Sequence, residues 1–294
     1  MRLLRRWVDT VLVLAVAAAV VLLRRAMRLR AVHPDLRQPA LLVAVPFRRW
    51  SLPVVRRVLV LSTPVVDGVV HHEALGPATP DGHRPRLEVH RPRSPDPDLA
   101  SAVLLWLHDG GPGQVDPGRL VVAGASAGGG LAASLVHHLH DHGPVRPALQ
   151  ALVYPMLDDR TLPGSAARVP RPVWSSRSNW FGWQSLLGLE PGGDRSPEAA
   201  VPARRADLSS LPPTWIGVGD VDLFHDECVR HADRLVAAGV RTELVVAHGL
   251  YHGADAAKGD RVTLTREFRA AFHAAVRAAL TEGPQRAARR RVRG

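Results

Sequence analysis

Cysteine is nearly missing from this chain: Cys228 stands alone among 294 residues, so no disulfide can form within it. Redox chemistry therefore says nothing about its compartment. With no histidine partner evident in its local sequence, Cys228 reads as a small buried hydrophobe rather than a nucleophile. Aromatic residues make up only 5%. Lysine is almost absent, so the net charge of +11 is carried by arginine. That charge is not spread along the chain. Residues 1–30 hold seven Arg and one Asp, and residues 283–294 hold five Arg, which leaves residues 31–282 neutral by subtraction. A neutral body removes the case for a nucleic-acid groove, and arginines beside an apolar segment suit an anionic membrane surface better. The glycine-rich stretch at 124–130 accommodates neither G-x-G-x-x-G nor G-x-x-x-x-G-K, which excludes a dinucleotide or phosphate loop there. His138 and His142 lie one helical turn apart, but no clustered carboxylate or cysteine completes a ligand set, so no metal is expected.

Long apolar runs are also scarce. The longest is residues 7–23, interrupted by Asp9 and Thr10 and bounded by arginine clusters; seventeen residues is the short limit for crossing a bilayer. A small-x-small cleavage site is missing after it, where Arg24, Arg25 and Arg28 stand instead. Residues 1–30 are thus read as an uncleaved hydrophobic anchor helix, with a buried or interfacial helix as the alternative. The slight excess of arginine after the run puts the following domain on the cytoplasmic side of a membrane, the alternative being a soluble cytoplasmic protein.

What is present is an alternation of strand and helix patterns. Residues 31–66 are an irregular, cap-like segment in which Pro34, Pro39, Pro46 and Pro53 break short apolar runs. A turn at Asp67-Gly68 opens a first strand, "RPRLEVHRP" alternates as a second, and "SAVLLWLHDGG" is a continuous run suited to a buried third. Then follow a strand "RLVVAGAS", a helix ending at Gly143, a strand "LQALVYPMLDD", a Trp-rich piece, a strand "TWIGVGD", a helix "DECVRHADRLVAAG", a strand "TELVVAHG" and a helix from about Thr265 to Leu280. This order predicts an α/β domain over residues 67–282, a mainly parallel sheet with helices on both faces, followed by a disordered basic tail at 283–294. Its 46% hydrophobic content is ample for a buried core.

Gly124-Ala125-Ser126-Ala127-Gly128 reads G-x-S-x-G, with apolar residues before it and a helical pattern after it. That is the setting of a nucleophile elbow, where a strained strand-to-helix turn exposes the serine and glycines avoid collisions with strand and helix. A serine hydroxyl is a weak nucleophile at neutral pH and needs a base held by a carboxylate. Asp220, Asp222 and Asp226 follow one strand and His248 and His252 the next, in the chain order Ser, acid, His; of these, Asp222 and His252 are chosen.

With "LLWLHDGG", "GASAGG", "YPMLDDRT", "ARRADLSSLPPTWIGVGDVDLFHDE" and "GLYHGAD", the chain resembles the hormone-sensitive-lipase-like branch of the α/β-hydrolase superfamily over most of residues 65–280. The resemblance implies an ester-hydrolysing serine enzyme that needs no cofactor and takes a small-molecule ester or lipid. It puts the acid at Asp222 and the base at His252, and an oxyanion hole at the amides of Gly110, Gly111 and Ala127. Donors of that kind are typically worth about 3 kcal/mol each in the transition state. Trp174, Trp180 and Trp183 fall where the family builds a cap over the acyl pocket, and Asp158 and Asp159 where it orients loops. Two departures stand out. Asp109 replaces a family glycine, putting a carboxylate beside a developing oxyanion. Only twelve residues separate Gly111 from Gly124, where the family has several dozen carrying a central strand and its helices. The eight steps from Gly111 to Arg119 reach at most about 28 Å, against about 17 Å for a five-residue strand, so a parallel return requires a nearly extended crossover. A hairpin would be antiparallel and would separate Ser126 from the oxyanion loop by a strand length. The alternative to an esterase is therefore an inactive, truncated relative acting as a membrane-tethered binding module.

Overall fold

The computed structural model describes residues 15–24, 26–27, 29–42, 69–75, 86–92, 104–106, 120–161 and 172–290. Two strands, β1 (Val69–Leu75) and β2 (Arg86–Pro92), pair antiparallel in a sheet of their own. The main sheet holds β3 (Leu104–Trp106), β4 (Val121–Ala125), β5 (Leu149–Val153), β6 (Thr214–Gly219) and β7 (Thr242–Ala247), side by side in chain order. Every neighbouring pair in it is parallel. Among the described residues the strands are accompanied by helices α1 (Ala127–His142), α2 (Ser176–Leu187), α3 (His225–Ala237), α4 (Ala254–Lys258) and α5 (Thr263–Arg290).

The central strands read as continuous apolar runs because both of their faces are covered. All five residues of β5 and all six of β6 are buried. Across the two strands the Gln150 side-chain N–H donates to the Thr214 hydroxyl at 3.2 Å. Right-handed crossovers between strands in strictly sequential order place α1 and α3 on one face. There α1 packs on β4 and β5, and α3 on β6 and β7. Helix α5 contacts β4, β5, β6 and β7, with Phe268 and Phe272 against Trp215 of β6. The buried stripe of α3 runs Cys228, Ala232, Leu235, at helical spacing. Cys228 is thus the buried hydrophobe its surroundings suggested, its thiol pKa pushed up by burial.

The short tether resolves as the parallel arrangement. Leu104 pairs with Val121 and Trp106 with Ala123, so the carboxyl end of β3 and Ser126 lie at the same edge of the sheet. No strand intervenes between β3 and β4 among the described residues. Residues 107–119, including Asp109, Gly110 and Gly111, lie outside the described residues.

Two expectations change. The last helix does not stop at Leu280 with a disordered tail behind it but continues to Arg290. The run "QRAARR" consists of strong helix formers and propagates the turn. Residues 15–24 are helical with every side chain exposed, and no helix among the described residues is long and apolar enough to cross a membrane. The expected spanning anchor therefore finds no support there; residues 1–14 lie outside the described residues. Beyond this helix, residues 29–42 form three short 3-10 turns, as a proline-broken segment should, and Val32 and Leu36 enter the core. Residues 43–66 lie outside the described residues.

Candidate active site

Ser126 occupies the turn between β4 and α1 at φ 56°, a conformation that non-glycine residues avoid. Backbone hydrogen bonds hold it there: its N–H donates to Val153 O at 3.0 Å, and its carbonyl accepts from Met156 N at 2.9 Å. A side chain at Gly124 would overlap the Gly128 carbonyl. The crowding also extends to two glycines that the motif does not contain. A Cβ on Gly129 would lie 2.8 Å from the Pro155 Cβ, and one on Gly130 would strike the Met156 carbonyl. Helix α1 is therefore pressed against the 154–156 loop, and glycine at 129 and 130 is what permits the approach.

A serine preceding a helix commonly caps it with its hydroxyl. Ser126 does not. Its Oγ lies 2.9 Å from His252 Nε2, and His252 Nδ1 lies 2.8 Å from Asp222 Oδ2. The other Asp222 oxygen accepts from Phe224 N at 2.9 Å, which locks the carboxylate before α3 begins. Asp222 and His252 are both buried, whereas Ser126 is half-buried and opens outward. The competing pair lies elsewhere: His248 Nδ1 meets Asp220 Oδ2 at 2.5 Å with the His248 side chain 95% exposed, and Asp226 sits beside His225 at the surface. Ala127 is the first residue of α1, so its N–H has no intrahelical partner and points from the positive end of the helix dipole.

Two residues that sequence reasoning passed over complete the setting of the imidazole. The rings of Tyr154, Phe224 and Trp174 lie 4.7, 5.2 and 6.0 Å from that of His252, centroid to centroid. Tyr154 has φ 35°, and burial, with the negative charge of the half-buried Asp255 adding to it, pushes its phenol pKa up. The available signal was the aromatic ending of β5 in "LVYP", immediately after a buried strand. Of the three predicted tryptophans, Trp174 is the one beside His252. Trp183 is buried in the hydrophobic core, and Trp180 donates to Glu190 at 2.9 Å.

The loop that carries His252 is supported by residues far upstream in the chain. Residue 249 has φ 78°, and a Cβ there would collide with His33, so glycine is required on both counts. His33 N donates to Gly249 O at 3.0 Å. The Gln38 side chain donates to the Tyr251 hydroxyl and accepts from Lys258 Nζ, both at 3.1 Å. On the opposite flank the buried Glu227 accepts from Leu157 N at 2.7 Å, from Asp158 N at 3.3 Å and from the Thr161 hydroxyl. Asp159, buried, gathers Ser196 at 2.5 Å, Gly192 N at 2.7 Å and Arg204 at 2.8 Å, tying distant loops together. Arg204 and the serine hold its pKa down against the opposing effect of burial. His138 and His142 stack on one another at 4.7 Å.

Comparison with known proteins bears on the family and the fold. A family model described as alpha/beta hydrolase fold matches residues 95–256. Esterase LipI of Mycobacterium tuberculosis is 34% identical over 144 residues, covering 47% of this chain and 43% of that protein. Carboxylesterase NlhH of the same organism is 32% identical over 180 residues, covering 57% and 54%. The chain thus spans about half the length of the curated relatives it matches. Among solved structures, a bacterial heroin esterase superposes with a TM-score of 0.72 over 86% of this chain and 99% of that one. At 24% identity that likeness speaks for the fold alone.

Proposed function

Because this chain belongs to the α/β-hydrolase fold family, we propose that it is a serine carboxylic-ester hydrolase of the hormone-sensitive-lipase-like branch, working through Ser126, His252 and Asp222. The observation that carries the proposal is the unbroken chain from Ser126 Oγ through both imidazole nitrogens to a buried carboxylate, with the serine held at positive φ. His252 Nε2 takes the hydroxyl proton as Oγ attacks the ester carbonyl, and the imidazolium that forms is balanced by Asp222 across Nδ1–H. The amide of Ala127, with those of Gly110 and Gly111, which follow β3 in the sequence, receives the developing oxyanion. The parallel pairing of β3 with β4 supports this role, since β3 ends at the edge of the sheet where Ser126 sits. Collapse expels the alkoxide with a proton from His252, and water then repeats the sequence on the acyl-enzyme. No metal or organic cofactor enters the scheme. The substrates proposed are esters of short or medium acyl chains, with Trp174 as the cap residue nearest the reacting groups.

The test is labelling by a fluorophosphonate together with hydrolysis of p-nitrophenyl butyrate. Wild type reacts and Ser126→Ala does not. Folded wild type that neither labels nor hydrolyses would leave the inactive-scaffold reading in its place. A role at a membrane surface is part of the same proposal. It is supported by the exposed apolar side chains Val16, Val20, Val21, Leu22 and Leu23, with Arg24 and Arg30 following. Co-sedimentation with anionic, but not zwitterionic, vesicles is expected, and its loss on deleting residues 1–28 is the check.

A further inference from the structure

Helix α3 has a second face that the ester chemistry does not use. Beside Asp158, Arg160, Glu227, Arg230, His231 and Arg234 lies a cavity of about 300 Å³ that touches none of Ser126, Asp222 or His252. We propose that this cavity is a binding site for a dianionic phosphate group, free or as a phosphomonoester.

The charges of its lining decide the class of ligand. Asp158 is already spent: its two oxygens accept from Arg160 Nε at 2.7 Å and Nη2 at 3.0 Å, so that pair is neutral. Both oxygens of Glu227 are occupied by Leu157 N, Asp158 N and the Thr161 hydroxyl. Burial lifts its pKa to about 8, so it carries little charge at neutral pH. Arg234 donates to the carbonyls of Ala203 and Arg205, neutral acceptors that leave its positive charge uncompensated. Arg230 is exposed at the rim and makes no ion pair among the described residues. The lining therefore carries two surplus positive charges, which repel a metal ion and match a dianion.

The second observation is independent of charge. His231 is 1% exposed, lines the cavity, and neither of its ring nitrogens has a hydrogen-bond partner among the described residues. Leaving a buried polar group without a partner is costly because its hydration is lost with nothing in exchange, and such groups in folded proteins are normally satisfied. An oxyanion in the cavity would accept the imidazole N–H while its remaining oxygens face Arg230 and Arg234. A water molecule could satisfy the ring but not the two guanidinium charges. Arg230, His231 and Arg234 share one side of α3 because positions 230 and 234 are one turn apart with 231 between them.

Calorimetric titration of inorganic phosphate into the full chain, with chloride holding ionic strength constant, tests the site. One site per chain is expected, with Kd on the order of 0.1–1 mM. The same value should be found in Ser126→Ala, so that this site stands or falls separately from the ester chemistry. Arg230→Ala, a surface change that leaves the fold alone, should weaken binding at least about tenfold, and the His231 ring ¹⁵N resonances should move on titration of wild type. Glycerol 3-phosphate binding as tightly as inorganic phosphate would identify a phosphomonoester as the ligand, and binding of inorganic phosphate alone would identify the free ion. No heat up to about 10 mM phosphate, equal affinity for acetate, or binding indifferent to Arg230→Ala would each overturn the proposal.

Discussion

Ser126 is asked to do two incompatible things, to hold a left-handed backbone that favours glycine and to present a hydroxyl that glycine lacks. The strain is worth about 1 kcal/mol, so Ser126→Gly should be more stable than Ser126→Ala by about that amount, although both are inactive; urea midpoints on the two proteins make the comparison. The carboxylates near the base separate just as sharply. Asp222→Asn keeps the shape of the buried contact while removing the charge that balances the imidazolium, and kcat/KM should fall by about 10⁴. His248→Ala, at a ring 95% exposed, should change kcat/KM by less than about threefold. The sequence made Asp222 and His252 a reasoned choice among three acids and two histidines. It could not exhibit the reason, which is that Asp220 has its own partner in His248 and its other oxygen holds Gly249 N at 2.6 Å. Tyr154 and Phe224 were illegible as neighbours of His252 for a similar cause: they come from different elements, and only folding sets their rings around one imidazole.

At the level of elements, the strap of residues 29–42 depends on few contacts with large leverage. Leu36, fully buried, anchors it, and Leu36→Ala should cost about 3 kcal/mol in the unfolding free energy measured by denaturant. Gln38→Ala removes the bonds to Tyr251 and Lys258 at once while deleting no core side chain. It is expected to lower kcat up to about tenfold with a stability change under about 1 kcal/mol; an unchanged kcat would mean that the strap does not steady the base. The prolines of residues 31–66 announced a broken segment, and the described part is broken as they require. What it packs on was not written there, because the docking depends on Gly249 and Tyr251 more than two hundred positions away. The strands were legible because β4, β5 and β6 are buried on both faces and so read as apolar runs. The end of α5 was misjudged because helix propensity in an arginine-rich run looks, in composition alone, like a disordered tail.

The whole molecule carries a balance of buried ionisable groups that should appear in its acid stability. Burial lowers His137 to about 3, with His231, Arg205 and His140 adding to that and Asp141 opposing it. Burial and Arg234 lower His231 to about 4, against Asp158. An unfolded histidine titrates near 6.5, so below that pH the unfolded chain binds protons that the folded chain refuses, and stability is lost as pH falls toward the folded values. For His231 the loss between pH 7 and 5 is about 2 kcal/mol. Glu227 acts in the opposite sense, since its raised pKa favours the folded state most below about 4.5 and that advantage fades as pH rises toward 8. The histidine contribution is therefore read as a difference: His231→Leu should lose about 2 kcal/mol less than wild type between pH 7 and 5 in urea titrations, and equal losses would contradict it. By itself the sequence determined the α/β alternation and the strand-turn-helix setting of Ser126, and it narrowed the proposed acid and base to three aspartates and two histidines. It could do so because strand burial, turn strain and chain order each act over a few residues and leave a local pattern. Tertiary structure alone decided that β3 and β4 pair in parallel although only fourteen residues join them, that the strap at 29–42 holds the His252 loop, and that two surplus arginines and an orphaned histidine meet on α3. These depend on contacts between segments far apart in the chain, where the free energy of burial and pairing acts only once the sheet exists to bring them together.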